Sequence, residues 1–352
     1  MAEKGRNNGL DILKSLCIFL IILLHTEALK ESFPINVEPI CRFAVPCFFM
    51  ITGFFYSDIV NRRKELKQII KVLFLISVSN VVLILLNIIY VGRNGIVDWI
   101  ILCCSKNNII KMLFFNENLI TGHFGSYHIW YLNALLYVLV IAYFLRRLKK
   151  LEVLYYLTPL LLIGGFILEC FSQQLFGVSF SENGRYYVYR NFLTVGIPYF
   201  SIGNLLSHYG IKKLKAKNST IIIGSLLLIG LSFFEYNMEL AYGLATNGEF
   251  FLLTPFYATG LFLFFYNAFE GKKLKKIGRI VAFIGERYVI WIYLFHLPVI
   301  VLIKDLFSQI GILNPDKLLV SLLTIVISLV VAAGIDCVLS LWKSKNRRKT
   351  ID

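Results

Sequence analysis

Long apolar runs dominate this chain and decide what it can fold into. A helix that spans a bilayer needs about 20 mostly apolar residues, and ten segments meet that requirement. Of the 352 residues, 57% are apolar or aromatic and only 16% are charged. We therefore predict an all-α, polytopic membrane protein. The ten predicted spans cover approximately residues 10–29, 40–58, 69–90, 128–145, 153–172, 190–208, 219–236, 250–269, 280–303 and 318–341.

The basic residues indicate how these spans are oriented. The formal net charge is +15, a value that is also typical of nucleic-acid binders. Here, however, 25 of the 36 Lys and Arg residues cluster at the two termini and at alternate connections. By the positive-inside rule, both termini are then cytoplasmic. The sequence thus predicts a multi-pass protein of the plasma membrane, in contact with the lipid bilayer and with no nucleic-acid partner.

The domain organisation is predicted to be simple. Residues 1–352 form one transmembrane domain, and 343–352 form a short basic cytoplasmic tail with no soluble domain beyond it. The first apolar run ends without a small-residue cleavage site, so we expect a retained helix rather than a signal peptide. The seven cysteines contain no CxxC pair and predict neither a metal site nor a disulfide framework. Parts of 91–127 look amphipathic, which fits either an interfacial element or an ordinary packed loop.

Ionisable residues inside a span are costly, so each is a candidate for function. In the first span, Lys14 and His25 lie about 20° apart around a helix and about 16 Å apart along it. One face then carries a cation near the cytosol and an imidazole deeper in the membrane, which suits an elongated anionic ligand that enters from the cytosol. Asp11 is positioned to pair with Lys14. The alternative interpretation is a lysine that extends to the interface and a packed histidine.

Further ionisable residues fall in the outer half of their spans. In the predicted topology they lie at a depth similar to that of His25, which makes all five candidates for one polar cavity. Depth alone does not show that they meet. The additional candidates are Arg42, His128, Arg190 and His296. Trp130 and Tyr131 follow His128 and are predicted to be aromatic residues of the membrane interface.

Several neighbouring residues carry smaller expectations. Pro46 is positioned to kink the second span, and Gly53 allows a neighbouring helix to approach closely. Glu27 is not expected to orient His25, because residues two apart do not face each other on a helix. Arg287, beside Glu286 in the cytosolic third of the ninth span, either pairs locally or helps to bind an anion.

Five motifs in this order resemble the acyltransferase 3 family of integral membrane acyltransferases. They are Leu10-Asp11-x-x-Lys14-x10-His25, the stretch from Arg42 to Gly53, His128-Ile-Trp-Tyr-Leu132, Arg190-Asn191 with Gly196-Ile-Pro198, and Ile292-Tyr-Leu-Phe-His296-Leu-Pro298. The resemblance covers nearly the whole chain. The second and fourth spans look most like the membrane portion of bacterial membrane-bound serine/alanine racemases, although we expect no racemase domain here.

The resemblance implies a ten-helix acyltransferase that uses cytosolic acyl-CoA, commonly acetyl-CoA, as its co-substrate and holds no bound cofactor. The acceptor would be a hydroxyl of a cell-envelope or exported glycan on the far side of the membrane. The family's first-helix motif is usually Arg-x10-His with a catalytic histidine. His25 is therefore the predicted catalytic residue, and Lys14 replaces the usual arginine. Lysine keeps the charge but loses the bidentate fork for phosphate, which leaves donor affinity and donor identity open.

The mechanistic hypothesis assigns His25 as general base or transient acyl carrier. Lys14, Asp11 and Arg287 are the predicted donor-binding residues, and Arg42, His296, Arg190 and His128 are the candidates for acceptor binding or oxyanion stabilisation. Two other functions fit the same residues. One is a transporter of a polar solute or glycan, which also needs intramembrane charges and interrupted helices. The other is a non-catalytic membrane module that binds an envelope precursor.

Overall fold

The computed structural model of the protein describes residues 7–29, 38–92, 95–211, 216–244 and 248–348. Within these ranges the chain is helical and contains no β-strand. Eight of the helices described there are long and apolar enough to cross a membrane. The prediction of an all-α, polytopic membrane protein is confirmed.

Fourteen α-helices lie in the described part of the chain. The first half of the chain contains α1 (Asn8–His25), α2 (Ala44–Asn61), α3 (Glu65–Val91), α4 (Ile96–Cys103), α5 (Lys106–Phe115), α6 (Trp130–Arg147) and α7 (Val153–Cys170). The second half contains α8 (Ser172–Phe176), α9 (Ile197–Tyr209), α10 (Asn218–Ala241), α11 (Thr254–Ala268), α12 (Lys276–Arg287), α13 (Val289–Gln309) and α14 (Lys317–Arg348). Short 3₁₀ turns occupy Glu38–Cys41, Tyr127–Ile129 and Tyr186–Val188, and a π-helical turn occupies Phe192–Gly196.

Two of the ten predicted spans form helices shorter than a bilayer needs. α9 has 13 residues and α11 has 15, whereas the predictions for these spans began at 190 and 250. α11 is therefore short at the end that the predicted topology places outside, whereas the π-helical turn Phe192–Gly196 runs directly into α9. Non-helical backbone at membrane depth is tolerated only where it is buried in protein or lines a cavity. The irregular backbone before α11 and the π-helical turn before α9 therefore mark the place where a cavity is expected.

The ninth predicted span, 280–303, is wrong at its first boundary. It is divided between α12 and α13, which meet at Tyr288. In α12, charged and apolar residues alternate with the period of an amphipathic helix, and Ile277 on its surface is 77% exposed. Since α12 is amphipathic rather than uniformly apolar, the continuous apolar stretch begins only at α13.

Close helix contacts at glycines hold the bundle together. In α2 and α9, a Cβ added at Gly53 would lie 1.9 Å from the carbonyl oxygen of Phe200, and one at Gly203 would lie 2.0 Å from that of Met50. The close approach predicted at Gly53 is confirmed. Pro46 is the third residue of α2, where the first turn has no partner for an N–H in any case. Pro46 therefore removes no hydrogen bond from α2, and the predicted kink stays a prediction.

α1 also makes close backbone contacts at glycines near its start. A Cβ at Gly9 would lie 1.8 Å from the carbonyl oxygen of Phe265 in α11, and one at Gly285 in α12 would lie 1.7 Å from the carbonyl oxygen of Asp11. The Ser15 hydroxyl also donates a hydrogen bond of 2.7 Å to the carbonyl oxygen of Val281. The N-terminal half of α1 is thus fixed against α11 and α12.

The connection between α3 and α6 and the C-terminal segment also bear on predictions made from the sequence. α4 and α5 turn apolar side chains outward, with Ile101 63% and Phe114 65% exposed, which favours the interfacial interpretation of this segment. α14 continues to Arg348, so the predicted tail is helical over its first six residues. Residues 349–352 of that tail lie outside the described residues.

Candidate active site

A cavity of about 100 Å³ opens beside the outer end of α1. Four of the five residues predicted to converge line it, namely His25, Arg42, His128 and Arg190. The fifth, His296, lies directly behind this lining. Its ring centre is 5.3 Å from that of His25 and 5.1 Å from that of His128. The fold therefore brings together all five residues that the sequence placed at one depth.

His25 is the last residue of α1 and borders the cavity. The ring of Tyr127 meets it edge-on with centres 5.5 Å apart. Glu27 does not take part, because its carboxylate pairs with Lys317 at 2.9 Å. The expectation that Glu27 does not orient His25 agrees with this geometry.

The two other histidines are buried and held by the backbone. His296 Nδ1 donates a hydrogen bond of 2.8 Å to the carbonyl oxygen of Tyr293, and His128 Nε2 donates one of 3.2 Å to that of Leu294. A carbonyl oxygen only accepts, so these bonds identify which nitrogen carries the proton. His296 Nε2 and His128 Nδ1 are buried without a hydrogen-bond partner among the described residues.

The opposite wall of the cavity is an ionic group. The Glu249 carboxylate accepts a hydrogen bond of 3.0 Å from Arg190 Nη1, and Arg42 Nη1 lies 3.8 Å from the same oxygen. The Arg190 guanidinium also lies over the ring of Trp130, 5.4 Å from its centre. Two guanidinium groups thus share one carboxylate on this wall.

A π-helical turn positions Arg190. Asn191 caps the turn, because its side-chain oxygen accepts from the backbone N–H of Leu193 at 2.8 Å. Asn116 accepts from the N–H of Phe192 at 2.7 Å and ties the turn to the outer connection. In that connection, burial raises the pKa of the Glu117 carboxyl, although the Arg190 cation opposes this effect.

Carboxylates from two other helices hold the segment that precedes α11. Glu169 of α7 is fully buried and accepts a hydrogen bond of 2.8 Å from the backbone N–H of Glu249. Glu235 of α10 accepts one of 2.6 Å from the N–H of Leu252. These bonds satisfy backbone groups that a longer α11 would satisfy internally. They fix the position from which Glu249 reaches the two arginines.

The N-terminal end of α1 carries a second group of charges. Lys14 Nζ lies 2.6 Å from Asp11 Oδ1, so the predicted ion pair is confirmed. Arg287 pairs with Asp336 of α14 at 3.1 Å. A cavity of about 520 Å³ opens nearby, and its lining comprises Asn8, Lys272, Lys273, Leu274, Arg279, Ala282 and Phe283.

Comparison with known proteins decides the family. A sequence profile described as an acyltransferase domain, acyltransferase 3, matches residues 7–337. The chain belongs to the acyltransferase 3 family. Over 349 residues it is also 26% identical to a protein named amino-acid racemase from Enterococcus faecalis, an alignment that covers 94% of this chain and 46% of that protein. The chain thus spans about half the length of this relative. No solved structure matches it.

Membership in the acyltransferase 3 family confirms the resemblance drawn from the motifs. It supports membrane acyltransferase activity in the broad sense. The roles of individual residues and the identities of donor and acceptor remain predictions.

Sequence reasoning missed some parts of this acyltransferase site. Trp130 and Tyr131 were expected at the membrane interface, but they are 7% and 8% exposed and line the cavity. Glu249 was not predicted, because it precedes the eighth span by one residue. Glu169 lies within the fifth predicted span, and the rule that treats every intramembrane ionisable residue as a candidate would have identified it.

Proposed function

We propose that this acyltransferase moves an acyl group, in the first instance acetyl, from cytosolic acyl-CoA to a hydroxyl of a cell-envelope glycan at the plasma membrane. The observation that carries the proposal is the position of His25. Its imidazole borders a small cavity whose opposite wall holds Arg42 and Arg190. A base and two hydrogen-bond donors that face one enclosed space are the groups that acyl transfer requires.

In the proposed transfer step, His25 acts as the general base. The acceptor hydroxyl gives its proton to His25 while its oxygen attacks the thioester carbonyl carbon. The tetrahedral oxyanion that forms is stabilised by a guanidinium group of Arg42 or Arg190. The carbon–sulfur bond then breaks, and the CoA thiolate takes the proton back.

The cytosolic cavity suits the donor nucleotide. Lys272, Lys273 and Arg279 line it beside Asn8, the first residue of α1. Phosphate groups bound there would lie at the same end of α1 as Lys14, with His25 at the other end. Lys14 remains a donor-binding candidate, since its ion pair with Asp11 leaves its side chain 24% exposed.

The route between the two ends of α1 is closed in the structure. Ile18 and Ile21 occupy the face that joins Lys14 to His25, and they are 0% and 4% exposed. An acyl-pantetheine arm that follows this face therefore needs the neighbouring helices to separate. Conformational steps of this kind are common in enzymes that exclude water from their reaction.

The walls of the outer cavity fit a sugar. Trp130, Tyr131, Tyr199 and Phe250 supply aromatic surface, and the Arg–Glu group supplies hydrogen-bonding atoms. Arg190 Nε and Glu249 Oε2 are buried without a partner among the described residues. A polyhydroxylated acceptor would satisfy these atoms and place one hydroxyl at His25.

The experiment uses membrane vesicles with radiolabelled acetyl-CoA on the cytosolic side and counts label in envelope glycan. Wild type is compared with His25→Ala and Lys14→Ala. We expect His25→Ala to lose transfer by a factor on the order of 10² or more, because it removes the base. Lys14→Ala is expected mainly to raise the KM for acetyl-CoA.

A second arm tests the donor cavity with a matched control. The triple variant Lys272→Gln/Lys273→Gln/Arg279→Gln should raise the KM for acetyl-CoA but not for acetyl-pantetheine, which lacks the nucleotide. The control is Lys64→Gln/Lys67→Gln/Lys71→Gln, three exposed lysines at the start of α3 and its N-cap. Label that persists in folded His25→Ala would reject the role of His25. Solute uptake without any acyl donor would favour a transporter instead.

A further inference from the structure

The structure points to a partner for His25. We propose that His296 is the positioning residue of the catalytic base: it holds the tautomer of His25 and receives its second proton during transfer. The inference rests on the proposed function and goes beyond it. Its basis is the buried, unpartnered nitrogen of His296 beside the His25 ring.

The backbone determines the protonation pattern of His296. Its Nδ1 lies 2.8 Å from the carbonyl oxygen of Tyr293 and 3.2 Å from that of Ile292. Since carbonyl oxygens only accept, Nδ1 carries the proton, and Nε2 of the neutral ring carries the lone pair. His296 is 0% exposed. The lone pair on Nε2 is therefore a hydrogen-bond acceptor in a place that bulk water does not reach.

His25 is in the right place to satisfy that acceptor. The two ring centres are 5.3 Å apart with an angle of 32° between the ring planes. This spacing leaves about 3 Å between nitrogens that face each other edge to edge, which is the length of a hydrogen bond. The χ2 torsion of histidine is broad, so rotation of the His25 ring about it brings one N–H towards His296 Nε2. The other nitrogen then presents its lone pair to the cavity.

The charges around the group favour this assignment over an ionic partner. No carboxylate contacts His25 or His296 among the described residues, and the nearest cavity charges are Arg42 and Arg190. Glu249 is engaged by both arginines. The part that a carboxylate plays in holding the histidine tautomer of a Ser-His-Asp triad is thus left to a neutral imidazole.

Every proton is accounted for over the steps of the proposed transfer. The acceptor hydroxyl gives its proton to the cavity-facing nitrogen of His25, and His25 passes the proton on its other nitrogen to His296 Nε2. His296 then carries protons on both nitrogens, and its Nδ1–H remains bonded to the Tyr293 carbonyl. When the carbon–sulfur bond breaks, the proton returns along the same path to the CoA thiolate. This use of His296 differs from oxyanion stabilisation, for which the neutral ring has no free N–H.

The test uses two variants of His296 in the vesicle assay. His296→Asn keeps an amide N–H near the position of Nδ1 and removes the Nε2 acceptor, whereas His296→Gln places an amide group near Nε2 that accepts a hydrogen bond but takes no proton. We expect both variants to lose kcat by a factor on the order of 10² with KM for donor and acceptor within about two-fold of wild type. The matched control is His208→Gln, an exposed histidine at the end of α9, which should retain wild-type kcat.

The outcomes separate the two proposals. Retention of wild-type kcat in either folded His296 variant, while His25→Ala is inactive, rejects the role of His296 and leaves the proposed function standing. Failure of wild type to transfer acyl groups rejects both. Thermal unfolding of each detergent-solubilised variant shows whether it is folded, and if the Asn variant is not, the Gln variant decides. Rescue by Asn would indicate a structural role only, because Asn restores the backbone hydrogen bond and nothing else.

Discussion

Single residues at the cavity act through shared partners. Glu249 is 12% exposed as a side chain and lies between Arg42 and Arg190. Removal of one member of such a buried ionic group leaves the remaining charges uncompensated, which usually costs more than the group contributes intact. The carboxylate therefore determines whether two guanidinium groups can stay in one small space.

Replacement of Glu249 tests this arrangement. We expect Glu249→Gln to lower stability by about 3 kcal/mol and to reduce acyl transfer at least ten-fold, because Arg42 and Arg190 then repel each other. Thermal unfolding in detergent and the vesicle assay measure the two effects. Glu182→Gln, at an exposed position, serves as control. Wild-type stability and activity in Glu249→Gln would show that the carboxylate does not hold the arginines.

The sequence predicted pairs of residues that are close along the chain, but not which residues far apart along the chain become neighbours. The pair of Asp11 and Lys14 follows from helical spacing alone. The neighbour of His25, His296, lies on a helix that begins more than 260 residues later, so only tertiary packing brings the two together. Arg287 illustrates the same limit, because it pairs with Asp336 of α14 rather than within its own helix.

For the helices, the length of each apolar run predicted where a helix lies but not the residue at which it begins. All ten predicted spans contain helices, since hydropathy reports the need to satisfy backbone groups within the membrane. The late start of α11 and the π-helical turn before α9 escaped prediction, because both segments are themselves apolar. Their backbone is satisfied by side chains such as Asn191, Glu169 and Glu235, which hydropathy does not register.

The contact of α2 with α9 gives a prediction at this scale. Gly203→Ala should cost about 1–3 kcal/mol of stability, because the added Cβ would lie 2.0 Å from the carbonyl oxygen of Met50 and the helices have to separate. Gly224→Ala in α10 is the matched control, since nothing lies within 4 Å of its added Cβ. Thermal midpoints in one detergent compare the two. Equal midpoints would contradict the close-packed interface.

For the whole molecule, the predicted orientation in the membrane rests on the distribution of Lys and Arg. One exposed cysteine, Cys104, provides a test of this orientation. Cys104 follows α4 in the connection predicted to be outside and is exposed. A membrane-impermeant maleimide added to intact cells should label wild type but not Cys104→Ser. Cys337 is also exposed, but it lies within the candidate span Lys317–Trp342, where an aqueous reagent does not reach it. Labelling of Cys104 only from the cytosolic side would reverse the topology.

The glycine contacts of α1 have a mechanical consequence. Gly9 and Gly285 clamp the helix near its base, while its tip borders the cavity. The tip is tied to α14, because Thr26 bonds to Ser321 and Glu27 pairs with Lys317, so a shift at the base tilts the helix as a whole. Over the roughly 21 Å of helix from Asp11 to His25, a tilt of about 3° moves one end by about 1 Å relative to the other. A ligand that shifts α12 at the base of α1 would therefore move the imidazole of His25 at the other end of the helix.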